Sequence, residues 1–249
     1  MEFYIFAEML HKTKAIVLYN LNYSDTYTIV HVYTEAFGPV SYLTAKTRGK
    51  TTRVPKSLFH PLSVVELEVE HQNLREIQRL KEAKSHIPLI SILNNPVKSA
   101  ICIFLAEVIS KVVKDLQPDR LLFNYFFQSI QVLEFSEKNY ANFHLVFLIR
   151  LSRFLGFYPD NSGYRQGMYF DLQNGIFVQY KPQSVHFLNP DESAVFFNLL
   201  RMNYENMSRF KFSGRERKEI IYRMLDYYRI HLHRFPEIKS LEILHEVFG

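Results

Sequence analysis

The sequence is poor in the residue types that announce chemistry. It has one cysteine and no tryptophan in 249 residues. A lone cysteine excludes an internal disulfide framework and a four-cysteine zinc site, and makes a cytosolic compartment the default expectation. No stretch approaches the roughly 18 apolar residues of a membrane span. The run from Ala100 to Ile109 is brief and contains Glu107. The opening MEFYIFAEML is apolar but short, carries Glu2 and Glu8, and lacks a basic leader, so a signal peptide is not expected. There is no G-x-S-x-G nucleophile motif and no glycine-rich phosphate loop. No two histidines have the i, i+4 spacing of a helical metal site: His231 and His233 are two apart, and His144 and His186 are isolated. An enzyme is therefore not expected. Internal repeats and low-complexity segments are absent too. A large excess of one charge is also missing, with 30 Lys and Arg against 25 Asp and Glu, a net +5.

What is present is an ordinary globular composition, 47% hydrophobic and 22% charged, in a length that suits one large domain or two small ones. The first part reads as β. Ala15–Tyr19, Thr26–Tyr33 and Val40–Thr44 are short runs rich in branched and aromatic side chains. In Leu62–Glu70, Val65, Leu67 and Val69 alternate with Glu66, Glu68 and Glu70; Leu74–Leu80 is a fifth candidate strand. Five short strands in about seventy residues predict a small barrel or sandwich. Beyond Ser85 the period becomes helical. Asn95-Pro96 reads as an N-cap with proline at the first helical position. Helices are predicted after Pro96, over Asp119–Phe135, over Tyr140–Leu155, from Pro190 to about Met202, after Ser213 and over Glu237–Val247. Ser213 and Glu216 make a capping box. Asn174-Gly175 between alternating runs predicts a β-hairpin at about 157–183. The predicted organisation is a β domain over 1–82 and a helical domain with an inserted hairpin over 83–249.

The positive charge has an address. Between two predicted strands lie Lys46, Arg48, Lys50, Arg53 and Lys56, five cations with no acid among them. A polar, cationic loop beside a small barrel suits phosphate contact through counterion release. Tyr19, Tyr23, Tyr27, Tyr33 and Tyr42 lie in the same β segment, where exposed rings such as Tyr23 or Tyr42 would offer stacking platforms for bases. Lys14, on the first strand, would extend the track. A second patch is Lys211, Arg215 and Lys218, on one helical face if the helix begins early enough; interleaved Glu216 and Glu219 also fit a solvated face. Glu66, Glu68 and Glu70 cannot converge on one ion and read as a solvated strand face. Asp25 suits a turn, and Cys102 a buried, inert thiol.

In order along the chain, Met9-Leu10-x-Lys12-Thr13-Lys14-Ala15-Ile16-Val17-Leu18, Tyr23-Ser24-Asp25-Thr26, Phe37-Gly38, Ala45-Lys46 and Leu58-x-x-Pro61-Leu62 resemble the bacterial RecO recombination-mediator family. Leu155-Gly156-Phe157-Tyr158-Pro159 and Tyr169-Phe170-Asp171-Leu172 continue the resemblance. The family typically starts near Met9, which marks residues 1–8 as an extension or Met9 as the true start. The resemblance implies an α+β chain: an N-terminal OB-fold β-barrel followed by a helical-bundle domain with an inserted β-hairpin. It implies a non-enzymatic mediator of DNA repair and homologous recombination. Such a mediator binds single- and double-stranded DNA, anneals strands, and helps RecR load RecA onto DNA coated by single-strand-binding protein. Many members carry four zinc-binding cysteines around the hairpin. The corresponding residues here, Pro159 to Gly167, contain none, so no metal or cofactor is expected and Tyr169, Phe170 and Phe177 should hold the hairpin by packing. The family docks the tail of single-strand-binding protein in its helical domain, for which Arg150 and Arg153 are the candidate contacts. The alternative function is a protein scaffold bridging RecR and single-strand-binding protein with incidental DNA contact. A nuclease is the further rival, and no convergent carboxylates predict it.

Overall fold

The computed structural model describes residues 10–45, 54–72 and 75–248. By packing, the chain divides into two units, Met1–Glu134 and Phe135–Gly249. The first contains a closed five-stranded barrel of β1 (Leu10–Asn22), β2 (Tyr27–Thr34), β3 (Gly38–Ala45), β4 (Val64–Glu70) and β5 (Ile77–Ser85). The order is β1-β2-β3-β5-β4, with β4 returning to β1. Only β3 and β5 pair in parallel; the other neighbours are antiparallel. This is the OB-like barrel expected of the chain.

Alternation fills it. Ala15, Val17, Val30, Val32, Tyr42, Val65, Leu67, Val69 and Ala83 point inward and are buried, with Phe59 packed among them and Leu58 against them. Burying each large apolar side chain contributes about 1.5–3 kcal/mol. Gly38 turns the chain from β2 to β3 at φ +67°, and a Cβ there would stand 3.1 Å from the backbone nitrogen of Pro118, so the position requires glycine. The strands begin and end elsewhere than the apolar runs suggest. β1 extends five residues before Ala15 because Leu10–Ile16 pair with β4 while Ala15–Asn22 pair with β2.

Three helices complete this unit: α1 (Ile90–Asn94), α2 (Pro96–Val112) and α3 (Arg120–Phe135). α2 starts as its sequence dictates, with the Asn95 side chain accepting from Lys98 N at 3.1 Å and Pro96 in the first turn. Tyr33 points out of the barrel yet is fully buried, because Phe126 and Phe123 of α3 cover its ring at 5.6 and 6.4 Å. α1 was not predicted; five residues carry too little period to read. It is held from outside its own sequence. The Glu134 carboxylate accepts from Ser91 N and Ile92 N at 2.7 and 2.9 Å, and the buried Lys98 ammonium donates to Ser91 Oγ at 2.6 Å.

The second unit holds α4 (Phe143–Phe154), β6 (Tyr169–Asp171), β7 (Ile176–Val178), β8 (Phe187–Leu188), α5 (Pro190–Leu200), α6 (Gly214–His231) and α7 (Leu241–Phe248). The predicted hairpin is there, but Asn174-Gly175 is not a two-residue turn. Asp171 pairs with Ile176, and the four-residue loop between them is organised by the Asp171 carboxylate, which accepts from Gln173 N and Asn174 N. β8, too short to read from sequence, adds a third strand beside β6. The hairpin packs through aromatics: Phe170 is fully buried against Phe177 and Phe196, with centroids 4.8 and 4.6 Å away. Tyr169, also expected in that packing, is half-buried against Phe187. The Tyr228 hydroxyl donates to Leu148 O at 2.7 Å, tying α6 to α4. Capping boxes start both α5, at Asn189 and Glu192, and α6, at Ser213 and Glu216. Cys102 is buried in α2, and burial pushes its thiol up, which keeps it unreactive. No helix among the described residues is long and apolar enough to cross a membrane.

Candidate nucleic-acid interface

The outer surface of the barrel has two chemically opposite faces. One is built by outward positions of β1, β2, β3 and β5. Hydrogen-bonded registers place Tyr19, His31, Ser41 and Ile77 in one row across the four strands, and Leu21, Ile29, Leu43 and Arg79 in the next. Tyr27, opposite Ala45, and Tyr23, in the β1–β2 turn, continue the surface. Tyr23 is 63% exposed, and Tyr19, Leu21, Tyr27 and Ile77 are exposed as well. The two rows contain no carboxylate.

Tyr19 belongs to this face because of a β-bulge. Strict alternation would point it inward after Val17, but the register shifts between Val17 and Tyr19 and turns it out opposite His31. The two rings stack with centroids 4.2 Å apart, and His31 Nδ1 meets Ser41 Oγ at 2.8 Å. Partial burial holds the His31 imidazole below its ordinary value. The tight β1–β2 turn is held by Ser24, whose hydroxyl accepts from Thr26 N and Tyr27 N, rather than by Asp25. The β4–β5 turn is clamped by buried Gln78, which donates to Gln72 O and Arg75 O and accepts from Gln72 N. That clamp sets exposed Arg75 ahead of Ile77 and Arg79.

The other face is ionic. Lys12 and Lys14 of β1 pair in register with Glu68 and Glu66 of β4, which pair with Glu82 and Lys84 of β5. The carboxylates expected to form a solvated row are instead partnered. Glu66 meets Lys84 at 2.7 Å and His86 at 2.8 Å, Glu68 meets Lys12 at 3.9 Å, and Glu70 is nearly buried against the Lys81 ammonium. Lys84, then His86, pull the Glu66 carboxyl below its usual range. With Glu35, the Lys12, Lys14, Glu66, Glu68, Glu82 and Lys84 side chains line a charged hollow of about 400 Å³.

The sequence-predicted residues divide accordingly. Lys46, Arg48, Lys50 and Arg53 lie outside the described residues. They follow Ala45 in the chain, at the end of β3. Lys56 is exposed on a 3-10 turn, Lys56–Leu58. Tyr23 is presented as expected. Tyr42 is not: its ring is wholly buried in the barrel core, so it cannot stack on a base, and alternation along β3 is the reason. Lys14 does not extend a cationic track. It sits opposite Glu66 on the ionic face, with its ammonium 5.7 Å from the Phe127 ring centroid. In the helical unit α6 begins only at Gly214, so Lys211 precedes it and shares no helical face with Arg215 and Lys218. Arg215 is engaged with Glu219 at 3.2 Å. Arg150 and Arg153 are exposed on α4, each over a tyrosine ring: Tyr204 at 5.5 Å and Tyr158 at 4.3 Å. Sequence reasoning missed Leu21, Ile77, Arg75 and Arg79. Tyr19, Leu21 and Tyr23 recur at every second position, but only the bulge decides which side they face.

Two family models match the chain: the N-terminal region of recombination protein O over residues 9–87 and its C-terminal region over 93–242. A DNA repair protein RecO of Azobacteroides pseudotrichonymphae is 67% identical over 240 residues, covering 96% of this chain and all of that protein. DNA repair proteins RecO of Bacteroides fragilis and Phocaeicola vulgatus are 44% and 43% identical, covering 96% and 97% of this chain and the whole of each relative. Barrel, helical unit and relatives agree: the chain belongs to the RecO family of DNA repair and recombination proteins.

Proposed function

We propose that this chain is a non-enzymatic recombination mediator that binds single- and double-stranded DNA and anneals complementary strands. It acts with RecR and single-strand-binding protein in loading RecA. The observation that carries the reading is the pair of carboxylate-free rows across β1, β2, β3 and β5, which expose Tyr19, Leu21 and Ile77 and end on Arg79, with exposed Tyr23, Tyr27 and Arg75 beside them. Bases of a single strand stack on Tyr19, Tyr23 and Tyr27, while Lys46, Arg48, Lys50, Arg53 and Lys56 take backbone phosphates of either DNA form. Recognition is sequence-independent, since phosphate contacts carry no base information and every base has a stacking face. Holding strands with charge neutralised and base edges free favours annealing. Arg150 and Arg153 are the proposed contacts for the acidic tail of single-strand-binding protein.

Salt titration tests the reading. Five single-strand phosphate contacts give a log–log slope of about −3.5, roughly a hundredfold loss between 50 and 200 mM salt. Neutralising Lys46, Arg48 and Lys50 together should flatten the slope by about two units. An unchanged slope removes the loop from the interface. Partners retained after nuclease treatment, by a chain with little DNA affinity of its own, would favour the scaffold reading instead.

A further inference from the structure

The row that begins at Tyr19 is a chain of contacts running from β3 to β1. Register puts Ser41 opposite His31 and His31 opposite Tyr19. Ser41 Oγ meets His31 Nδ1 at 2.8 Å. The imidazole in turn lies against the Tyr19 ring, with centroids 4.2 Å and planes 17° apart. His31 Nε2 is buried and has no partner among the described residues, so Ser41 is the polar anchor of the imidazole and Tyr19 its stacking partner.

On the side away from His31, Tyr19 has no strand beside it, because β1 pairs with β4 only as far as Ile16. The residue is 40% exposed. One face of its ring is occupied by His31, so a base must take the other. A tyrosine that samples several rotamers gives them up when a base stacks on it, and that loss weakens binding. Tyr19 also owes its outward direction to the bulge between Val17 and Tyr19, where the ladder is interrupted. The stack on His31 fixes the ring where the ladder does not.

We propose that His31 is a positioning residue of the single-strand interface. Anchored by Ser41, it holds Tyr19 in the orientation that receives a base, without touching DNA itself. The role in binding rests on the DNA-binding reading above; the anchoring of the ring in the free protein does not.

The full-length protein is used throughout. In the absence of DNA, the Tyr19 ring protons are identified in the NMR spectrum by their loss in Tyr19→Leu. They should shift in His31→Ala and, by less, in Ser41→Ala. Ring signals unmoved by either variant overturn the anchoring, whatever the protein binds. Affinities for a single strand and a duplex are then read by fluorescence anisotropy over a salt series at fixed pH. His31→Ala should weaken single-strand binding about fivefold, the worth of one side chain ordered in advance. Duplex affinity and the salt slope, which report phosphate contacts, should not change. His31→Phe restores a flat ring without the anchor nitrogen and should recover most of the loss. Ser41→Ala should weaken single-strand binding in the native chain and have no effect in the His31→Phe chain. In a Tyr19→Ala background, His31→Ala should cost nothing further. His31→Gln, which removes the stack and keeps a polar group, replaces His31→Ala if that variant fails to fold.

Unchanged single-strand affinity in His31→Ala overturns the proposal. An equal loss on the duplex does so too, since it marks a damaged barrel. A full loss that persists without Tyr19 overturns it in favour of direct DNA contact by His31. A native chain that binds no single strand defeats the DNA-binding reading and the role in binding with it, while the ring signals still decide the anchoring.

Discussion

The two faces of the barrel share strands, length and alternation, yet one spends its outward positions on rings and the other on ion pairs. On β1 the division runs within a single strand: Lys12 and Lys14 belong to the ionic side, Tyr19 and Leu21 to the aromatic side. The lesson is that net charge says little about where a polyanion binds. Lysines opposite glutamates are already neutralised at short range, while the Tyr19 and Leu21 rows hold no carboxylate across β1, β2, β3 and β5, and Glu70, the register partner of Arg79 on β4, is already engaged by Lys81.

The largest effect that would break this contrast is on DNA affinity. Tyr19→Ala with Tyr23→Ala should weaken single-strand binding by about 30-fold or more, measured by anisotropy at fixed salt. Lys12→Gln with Lys84→Gln on the ionic face should change it by less than about twofold, because each lysine already faces a carboxylate. Equal losses from the two pairs would show that the faces do not differ in function.

Next in size is stability. Glu70 is nearly buried against Lys81, so Lys81→Met should take the ammonium away from a desolvated carboxylate and cost about 2 kcal/mol in urea unfolding. Glu66→Gln, at a pair exposed to solvent, should cost much less and lose its effect in high salt. Acid separates the faces by pH. The folded His31 imidazole titrates below its ordinary 6.5, so the unfolded chain takes that proton first. Its stabilising contribution is full above 6.5 and falls as pH drops toward the lowered folded value. Glu66 also has a lowered folded value, below 4.5, and its contribution persists until pH falls through the carboxylate range. Amide exchange followed from pH 7 to 4 should therefore loosen the Tyr19–His31–Ser41 row before the β4–β5 pairing. The reverse order would sink this ranking. The smallest effect expected is His31→Gln, which should flatten the upper part of that profile and leave the lower part unchanged.

Much of this architecture was legible in residues. The alternation of Val65, Leu67 and Val69, the Asn95-Pro96 start and the Ser213–Glu216 box each prescribe local geometry, and each element formed where they stand. What was not legible depends on partners distant in the chain. Tyr42 reads like Tyr23 until β3 is closed into a barrel and its alternate positions become a core. Lys14 reads as a free cation until β4 sets Glu66 beside it. α1 exists because Glu134, more than forty residues away, caps its first amides. The interface was half visible: its tyrosines could be named, but not the single-residue bulge that selects which of them face outward.

The parallel pairing of β3 with β5 has a kinetic consequence. The row that runs from Tyr19 to Ile77 does not exist while β1, β2 and β3 stand alone as a meander; it is completed only when Ile77 reaches Ser41, across the whole basic loop and β4. Contacts of such sequence separation form late and slowly. A chain still emerging from the ribosome therefore carries its cationic loop well before it has a finished surface to offer a strand, and acquires its binding face in the same step that closes its last open edge.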